Sequence, residues 1–257
     1  MTKKFTINDW VEYEDPKDPV GEKRLGVVTK VPEGTSKSVT VRWVRNCHQG
    51  GKYAASILTH RSPIPMVLEG NLAEDLHEPR TEYALLRNWF ESIGCDFVFK
   101  SIHQLSDIEL LAKKINHAIL PPFIHISCHG DFEDSDNLGK RPFIQLLDNK
   151  LYLDDPYTIE VFSKFEGYPV FFSACLLGRF QNPILAFQKA AKLGPIVASV
   201  RQIYDSEAML FGLMLYQSVI VAGMPFDKAA HNCIAALRKI GIKGEQGHAL
   251  AYARCWC

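Results

Sequence analysis

The feature that most constrains the fold of this chain is a pair of apolar runs that each end in a chemically reactive residue. The first run, 123–131 (FIHISCHGD), breaks at His129 and Gly130, and the second, 168–178 (YPVFFSACLLG), breaks at Cys175. Short continuous apolar runs of this kind are typical of buried strands. Ligands and chemistry collect beyond the carboxyl ends of strands in open α/β sheets, so two neighbouring strands would place an imidazole beside a thiol. This pairing is the one that activates a cysteine as a nucleophile.

The composition of the 257-residue chain argues against several classes of partner. Apolar residues make up 47% of the sequence, which is ample for a sizeable core, and 29 basic side chains balance 29 acidic ones. A net charge of zero argues against nucleic acid and anionic membrane surfaces as partners. No stretch approaches the ~18 consecutive apolar residues of a membrane span, and the first ten residues lack the apolar core of a signal peptide. We therefore expect a cytoplasmic protein, and in that reducing compartment its seven cysteines, which lack disulfide-framework spacing, should be free thiols.

Metal and cofactor sites find little support in the sequence. His125 and Cys128 lie near His129, but structural zinc usually takes four ligands, and strand alternation sends residues 125 and 128 to opposite faces. The terminal pair Cys255 and Cys257 has no matching second pair. No glycine-rich loop of the kind that cradles phosphates is present. We therefore expect no metal and no cofactor.

Residues 1–62 are expected to form a small all-β domain. Short runs with period-two alternation are separated by turn-rich segments, a pattern that indicates antiparallel strands. The runs are 5–13, 25–31 and 38–44. Together they resemble the small β-barrel of Tudor-like chromatin readers, which bind peptides or nucleic acid through aromatic side chains, here Trp10, Tyr13 and Trp43. In a domain of about 60 residues, the same aromatic side chains are also needed to fill the core.

Residues 63–257 are expected to form an α/β domain with a mostly parallel sheet. The segment 60–65 (HRSPIP) leads to a first strand at 66–68, and from about residue 80 helical and strand-like patterns alternate, as in sheets covered by helices. Predicted helices are 81–93, 106–117, 155–165, 183–193, 206–221 and 225–239. Predicted strands, besides the two apolar runs, are 96–101, 195–200 and 249–256, with a hairpin over 141–153.

Five segments of this second domain match a known family in order and spacing. They are 124–130 (IHISCHG), 146–152 (LLDNKLY), 170–178 (VFFSACLLG), 194–206 (GPIVASVRQIYDS) and 247–256 (GHALAYARCW). Over more than two thirds of the chain they resemble the CHAT domain, a caspase-like cysteine peptidase group related to separase. The resemblance implies a caspase-like α/β/α sandwich and a His–Cys dyad. The interval from His129 to Cys175 is also close to the ~50 residues that separate the two in caspases.

The sequence departs from the family pattern at two places. Leu176 and Leu177 follow Ala-Cys, where the family usually has threonine or a small residue, and Arg201 and Gln202 replace a common Trp-Pro pair. Both departures are expected to reshape the substrate pocket. Neither removes the dyad.

The resemblance also implies a role for each residue of the dyad. His129 acts as general acid and base for the leaving amine, and Cys175 forms the acyl-enzyme. The backbone N–H groups of Gly130 and Cys175 are the expected oxyanion donors. Because Gly130 lacks a Cβ, a substrate carbonyl is expected to approach its backbone closely.

Two acidic residues are candidates for substrate binding. Asp205 stands where the family commonly has an acid that binds a basic side chain, and the alternative is an N-cap or first-turn acid of helix 206–221. Asp131 belongs to an acidic segment that is expected to form a loop after His129. That loop either borders the cleft or is simply solvated. Its acidic residues are Asp131, Glu133, Asp134 and Asp136.

Functions from different classes follow from these patterns. The first is a cysteine endopeptidase that cuts one or a few protein substrates, as the family does in bacterial antiviral defence and cell death. The second is a catalytically silent ligand-sensing or adaptor protein on the same scaffold. A weaker third, disfavoured by the neutral charge, makes the small β domain a nucleic-acid reader through Lys37, Arg42, Arg45 and Lys52. We also expect regulation, in which that domain or the loops at 130–141 and 179–182 close the site until an activating partner or small signal molecule binds.

Overall fold

The computed structural model describes residues 4–14, 22–32, 37–45, 50–70, 81–115, 119–135, 139–147, 149–240 and 253–256. Within these ranges the chain forms a five-stranded, a three-stranded and a six-stranded sheet. Six α-helices accompany them in the same ranges, and all follow the five-stranded sheet in the sequence.

The amino-terminal sheet is antiparallel, with the strand order β4-β3-β2-β1-β5. Its strands are β1 (Trp10–Glu14), β2 (Lys23–Lys30), β3 (Ser38–Trp43), β4 (Gly50–Ala54) and β5 (Thr59–His60). The predicted first strand begins too early, because the backbone N–H and the hydroxyl of Thr6 both donate to the carboxylate of Asp9 and form a turn there. β4 escaped prediction because its side chains are exposed or half-buried and carry little apolar pattern.

The aromatic side chains of this sheet have different environments. Trp43 is buried in a small core with Val11, Val28 and Val41, as a domain of this size requires. Tyr13 and Trp10 are half-buried. The sequence prediction that these aromatic side chains serve the core is therefore confirmed for Trp43.

The amino-terminal sheet docks on the rest of the chain through side chains that bind backbone carbonyls. Trp10 Nε1 donates to the carbonyl of Ile220 at 2.9 Å, and Arg42 Nη2 donates to that of Gly223 at 2.7 Å. Arg45 Nε donates to the carbonyl of residue 166 at 2.6 Å. Two side chains of the predicted basic face are thus engaged within the protein.

The six-stranded sheet confirms the predicted α/β class and the mostly parallel arrangement. Its order is β14-β13-β12-β8-β6-β7, and only the β13–β14 pair is antiparallel. The strands are β6 (Met66–Glu69), β7 (Val98–Ser101), β8 (Ile124–Ser127), β12 (Val170–Ser173), β13 (Ile196–Ala198) and β14 (Arg254–Trp256). The two apolar runs of the sequence therefore form neighbouring central strands, β8 and β12.

Helices cover both faces of this sheet because successive strand residues point to opposite sides. Ile126 and Phe172 pack with α2, α3 and α4 on one face, and Val67 and Phe171 pack with α1, α5 and α6 on the other. The helices are α1 (Tyr83–Ser92), α2 (Leu105–Ala112), α3 (Pro156–Ser163), α4 (Gln181–Ala190), α5 (Asp205–Tyr216) and α6 (Phe226–Ile240). α5 continues as a π-helical turn over Gln217–Val221. Among the helices that the structure describes, none is long and apolar enough to cross a membrane.

The small antiparallel sheet corrects one sequence prediction. It has the order β11-β10-β9, with β9 (His129–Ser135), β10 (Gly139–Gln145) and β11 (Lys150–Tyr152). The β10–β11 pair is the predicted hairpin, but the predicted acidic loop after His129 is wrong, since its residues 131, 133 and 134 lie on β9. Glu133 bonds to Lys150 and Tyr152 across the sheet, and opposite charges of this kind stabilise an exposed strand. Asp136 lies outside the described residues.

Candidate active site

The register of β8 and β12 brings His129 and Cys175 to the same edge of the sheet. The two strands run parallel, and Ser127 is paired with Ser173 at the last position of each. Neighbouring strands lie about 4.8 Å apart, and the contact continues one residue further, where the N–H of Cys128 donates to the carbonyl of Ser173 at 3.2 Å. His129 and Cys175 each follow their paired serine by two residues. His129 and Cys175 therefore lie at equivalent positions just beyond the paired ends of two adjacent strands.

Gly130 packs directly on the backbone of Cys175. A Cβ added at Gly130 would lie 2.5 Å from the carbonyl oxygen of Cys175 and 3.3 Å from its nitrogen. The prediction attributed this glycine to the approach of a substrate carbonyl, and the structure gives a different reason. The space that a side chain would need is filled by the protein's own backbone. The close approach joins β9 to the turn that carries the thiol.

The imidazole of His129 is half-buried at this edge. No group in the described parts of the chain hydrogen-bonds its buried Nε2. A buried polar atom without a partner costs about 1–3 kcal/mol, so each such atom in a native structure requires an explanation. A thiol or substrate atom that completes the contact during reaction would provide one.

The thiol of Cys175 faces the segment between β13 and α5. Its Sγ accepts a hydrogen bond from the N–H of Ile203 at 3.4 Å and lies 3.8 Å from the carbonyl oxygen of Ile203. Burial raises the pKa of Cys175, and the carboxylates of Asp205 and Asp131 raise it further, while the N–H of Ile203 acts in the opposite direction. Together these effects favour the neutral thiol in this conformation.

The residue after the thiol adopts an unusual backbone conformation. Leu176 has φ of 57°, in the left-handed region that non-glycine residues rarely adopt. Its N–H donates to the carbonyl of Arg201 at 3.0 Å, and the N–H of Gly178 donates to that of Ser199 at 2.8 Å. Such strained residues cluster at functional sites, where the surrounding structure holds them in place. Leu177, which was expected to shape the substrate pocket, is instead buried in the core.

Both predicted substrate-binding acids lie close enough to Cys175 to raise its pKa. Asp131 is exposed on β9, and Asp205 is half-buried at the first residue of α5. The N-cap alternative for Asp205 is wrong, because Tyr204 occupies that position. The first-turn alternative is confirmed. The structure thus gathers His129, Gly130, Cys175, Asp131 and Asp205 at one end of the sheet.

Sequence reasoning missed a buried polar cluster beneath this edge, centred on Glu82. Its Oε1 accepts hydrogen bonds from the hydroxyls of Ser127 and Ser173, and its Oε2 lies 3.3 Å from Nε2 of His125. Burial acts to raise the pKa of Glu82, but the attraction of the nearby His125 and the hydrogen bonds from the two serines outweigh it and hold that pKa below the ordinary value. The two serines, which end β8 and β12, were visible in the sequence as polar residues inside the two apolar runs. Nothing in the sequence near position 82 indicated the carboxylate that joins them.

His125 also bears on the possibility of a zinc site. Its Nδ1 lies 3.0 Å from the hydroxyl of Tyr216, and its ring stacks on Phe171 at 4.6 Å between centroids. Both contacts lie on the α5 face of the sheet, whereas Cys128 belongs to the core on the other face. The opposite orientation that strand alternation predicted for residues 125 and 128 is confirmed.

The chain was compared with known proteins. It matches no family model, and no curated protein matches it. The chemical interpretation of the site therefore rests on its residues and geometry.

The raised pKa of Cys175 predicts slow alkylation at neutral pH. Iodoacetamide reacts with the thiolate, so the rate at Cys175 should climb with pH to a midpoint above that of a free-cysteine peptide measured alongside. Asp205→Asn removes a carboxylate that disfavours the thiolate, and we expect a severalfold faster reaction at pH 7.5. Asp227→Asn, at the first turn of α6, is the matched control and should change nothing. Peptide mapping after timed labelling measures each rate, and a midpoint at or below that of the free peptide would contradict the prediction.

Proposed function

We propose that this chain is a cysteine endopeptidase in which Cys175 is the nucleophile and His129 the general acid and base. The observation that carries the proposal is the register of β8 and β12, which gives the two residues equivalent positions on adjacent strands. Two further features support it: Nε2 of His129 has no hydrogen-bond partner among the described residues, and Leu176 has a positive φ. The CHAT-like sequence segments support the same chemistry.

The proposed reaction proceeds through an acyl-enzyme. His129 accepts the Sγ proton as sulfur attacks the substrate carbonyl carbon, and the N–H groups of Gly130 and Cys175 donate to the oxyanion. The C–N bond then breaks, and the imidazolium returns the proton to the leaving amine. Water, deprotonated by His129, attacks the thioester and releases the acid with the free thiol. Losing one oxyanion donor would slow turnover by about 10²–10³-fold.

The charges around the thiol suggest the substrate class. Asp131 and Asp205 both act on Cys175, and a carboxylate pair beside a nucleophile suits a lysine or arginine side chain next to the scissile bond. We propose protein substrates with a basic residue at that position.

The proposal includes a resting state that requires activation. The thiol is held by Ile203 and its pKa is raised, so a partner or small signal molecule that moves the segment after β13 would free Sγ toward His129. The caspase-like sandwich, the barrel form of the amino-terminal sheet and a role in bacterial defence or cell death rest on sequence resemblance alone. The same resting features fit the second candidate, a silent sensor or adaptor.

Cleavage of a complex peptide mixture separates these two candidates. Purified protein is incubated with proteome-derived peptides, with and without a cell lysate as source of activator, and new termini are identified by mass spectrometry. The endopeptidase proposal predicts cuts beside basic residues that vanish in Cys175→Ala. Cuts that persist in this variant would exclude Cys175 as the nucleophile. No cuts under either condition would favour the adaptor.

A further inference from the structure

We propose that Glu82 is a positioning residue that clamps the carboxyl ends of β8 and β12 and thereby holds His129 and Cys175 in register. This inference rests on the proposed function. In the contacts described above, the side chain of Glu82 touches neither the Cys175 thiol nor the His129 imidazole.

One carboxylate oxygen joins the two strands. Oε1 of Glu82 accepts a hydrogen bond from Ser127 Oγ at 2.8 Å and a second from Ser173 Oγ. These serines are the last paired residues of β8 and β12. Each lies two residues before one member of the dyad, so the clamp acts at the final point where the strands are still aligned.

The clamp lies where the regular pairing of β8 and β12 ends and the two strands lead into different elements. β8 leads into β9, which pairs with β10 in a different sheet, and β12 leads into the turn at Leu176. The backbone ladder between β8 and β12 ends at Ser127 and Ser173. Beyond that point the N–H of Cys128 donates to the carbonyl of Ser173, and Gly130 packs on the backbone of Cys175. The two serine–carboxylate bonds add a side-chain link between the strands just before these backbone contacts.

Glu82 is itself fixed from several directions. It is 2% exposed, and its backbone N–H donates to Glu69 at 2.7 Å. Its Oε2 lies 3.3 Å from Nε2 of His125 without good hydrogen-bond alignment, and Nδ1 of His125 lies 3.0 Å from the Tyr216 hydroxyl of α5. The carboxylate thus stands between α1, the two strands and α5. The lowered pKa of Glu82 favours the charged carboxylate as acceptor for both serine hydroxyls.

The test compares two reagents that make different demands on the dyad. A peptidyl acyloxymethyl ketone needs the thiolate, the oxyanion donors and the imidazole in correct relative positions, whereas iodoacetamide needs only the thiolate. In Glu82→Gln, labelling of Cys175 by the ketone should fall about 10- to 100-fold, as for a misplacement of about 1 Å. The iodoacetamide rate should change by less than about threefold, because the immediate surroundings of the thiol are kept.

A matched control and a second variant make the result decisive. Asp155→Asn removes a carboxylate that accepts from the backbone of Tyr157 and Thr158 at the start of α3, on the opposite face of the sheet from α1, and it should leave the ratio of the two rates unchanged. The double variant Ser127→Ala, Ser173→Ala should reproduce Glu82→Gln. It carries the test if Glu82→Gln fails to fold, with thermal melts checking each variant.

The outcomes separate this inference from the proposed function. A wild-type protein whose Cys175 reacts with the ketone neither alone nor with the activating lysate refutes the endopeptidase itself. A reactive wild type with an unchanged ratio in the folded clamp variants overturns only the role of Glu82. An equal fall of both rates in those variants also overturns it, since that result indicates a merely structural contribution.

Discussion

Replacement of His129 by alanine is expected to reduce peptide turnover by about 10²–10⁴-fold, the usual contribution of a general acid and base. The fold should survive, because the imidazole is half-buried at the edge of the sheet and its Nε2 has no partner in the described residues that the substitution would leave unpaired. The measurement is kcat on the best peptide found for the wild type. A thermal melt of each protein accompanies it.

The matched control for this substitution is His103→Ala. His103 is an exposed histidine that precedes α2, and its loss should leave kcat unchanged. The pH profile of His129→Ala should also lose the limb that reports the catalytic base. Turnover within about threefold of the wild type would remove His129 from the mechanism, since the expected effect is at least about 10²-fold.

Replacement of Gly130 by alanine is expected to lower both stability and activity. The new Cβ would lie 2.5 Å from the backbone oxygen of Cys175, so β9 or the thiol turn must move. Overpacking of this kind costs about 1–3 kcal/mol in the free energy of unfolding. A shift of about 1 Å between the dyad residues would slow turnover about 10²-fold. Denaturant unfolding and kcat measure the two effects.

Gly212→Ala provides the control for the loss of a buried glycine. A Cβ at Gly212, within α5, would meet Phe171 at 3.7 Å, an ordinary contact, and alanine is the better helix former by up to about 1 kcal/mol. This variant should be as stable as the wild type or more so. Equal stability and turnover in Gly130→Ala would show that the packing of Gly130 on Cys175 is dispensable.

Much of the fold could be predicted because the central strands are buried on both faces. In β8 and β12 every residue is buried, so both strands read as continuous apolar runs. Their neighbouring positions followed from the general rule for open α/β sheets, which then suggested His129 and Cys175 as a pair. The local apolar pattern was sufficient to predict these two strands.

The parts that escaped prediction depend on contacts between distant residues. β9 has an exposed acidic sequence, and its cations come from Lys140 on β10 and Lys150 on β11. The contact of Gly130 with the Cys175 backbone and the bond from Ile203 to Sγ likewise join separate segments. Glu82 reaches Ser127 and Ser173 across 45 and 91 residues of sequence. No periodicity or spacing rule encodes contacts of this kind.

The most direct test of the central claim is the mass and location of a covalent adduct on the protein. Wild type, Cys175→Ala and His129→Ala are treated with a panel of peptidyl acyloxymethyl ketones, with and without activating lysate, and analysed as intact proteins and as peptides. If the chain is a cysteine endopeptidase, we expect one adduct, on Cys175. It should be absent from Cys175→Ala, and it should form much more slowly in His129→Ala. Labelling of the half-buried Cys95 or Cys255 instead of Cys175, or labelling of Cys175 that ignores His129, would contradict the proposed dyad.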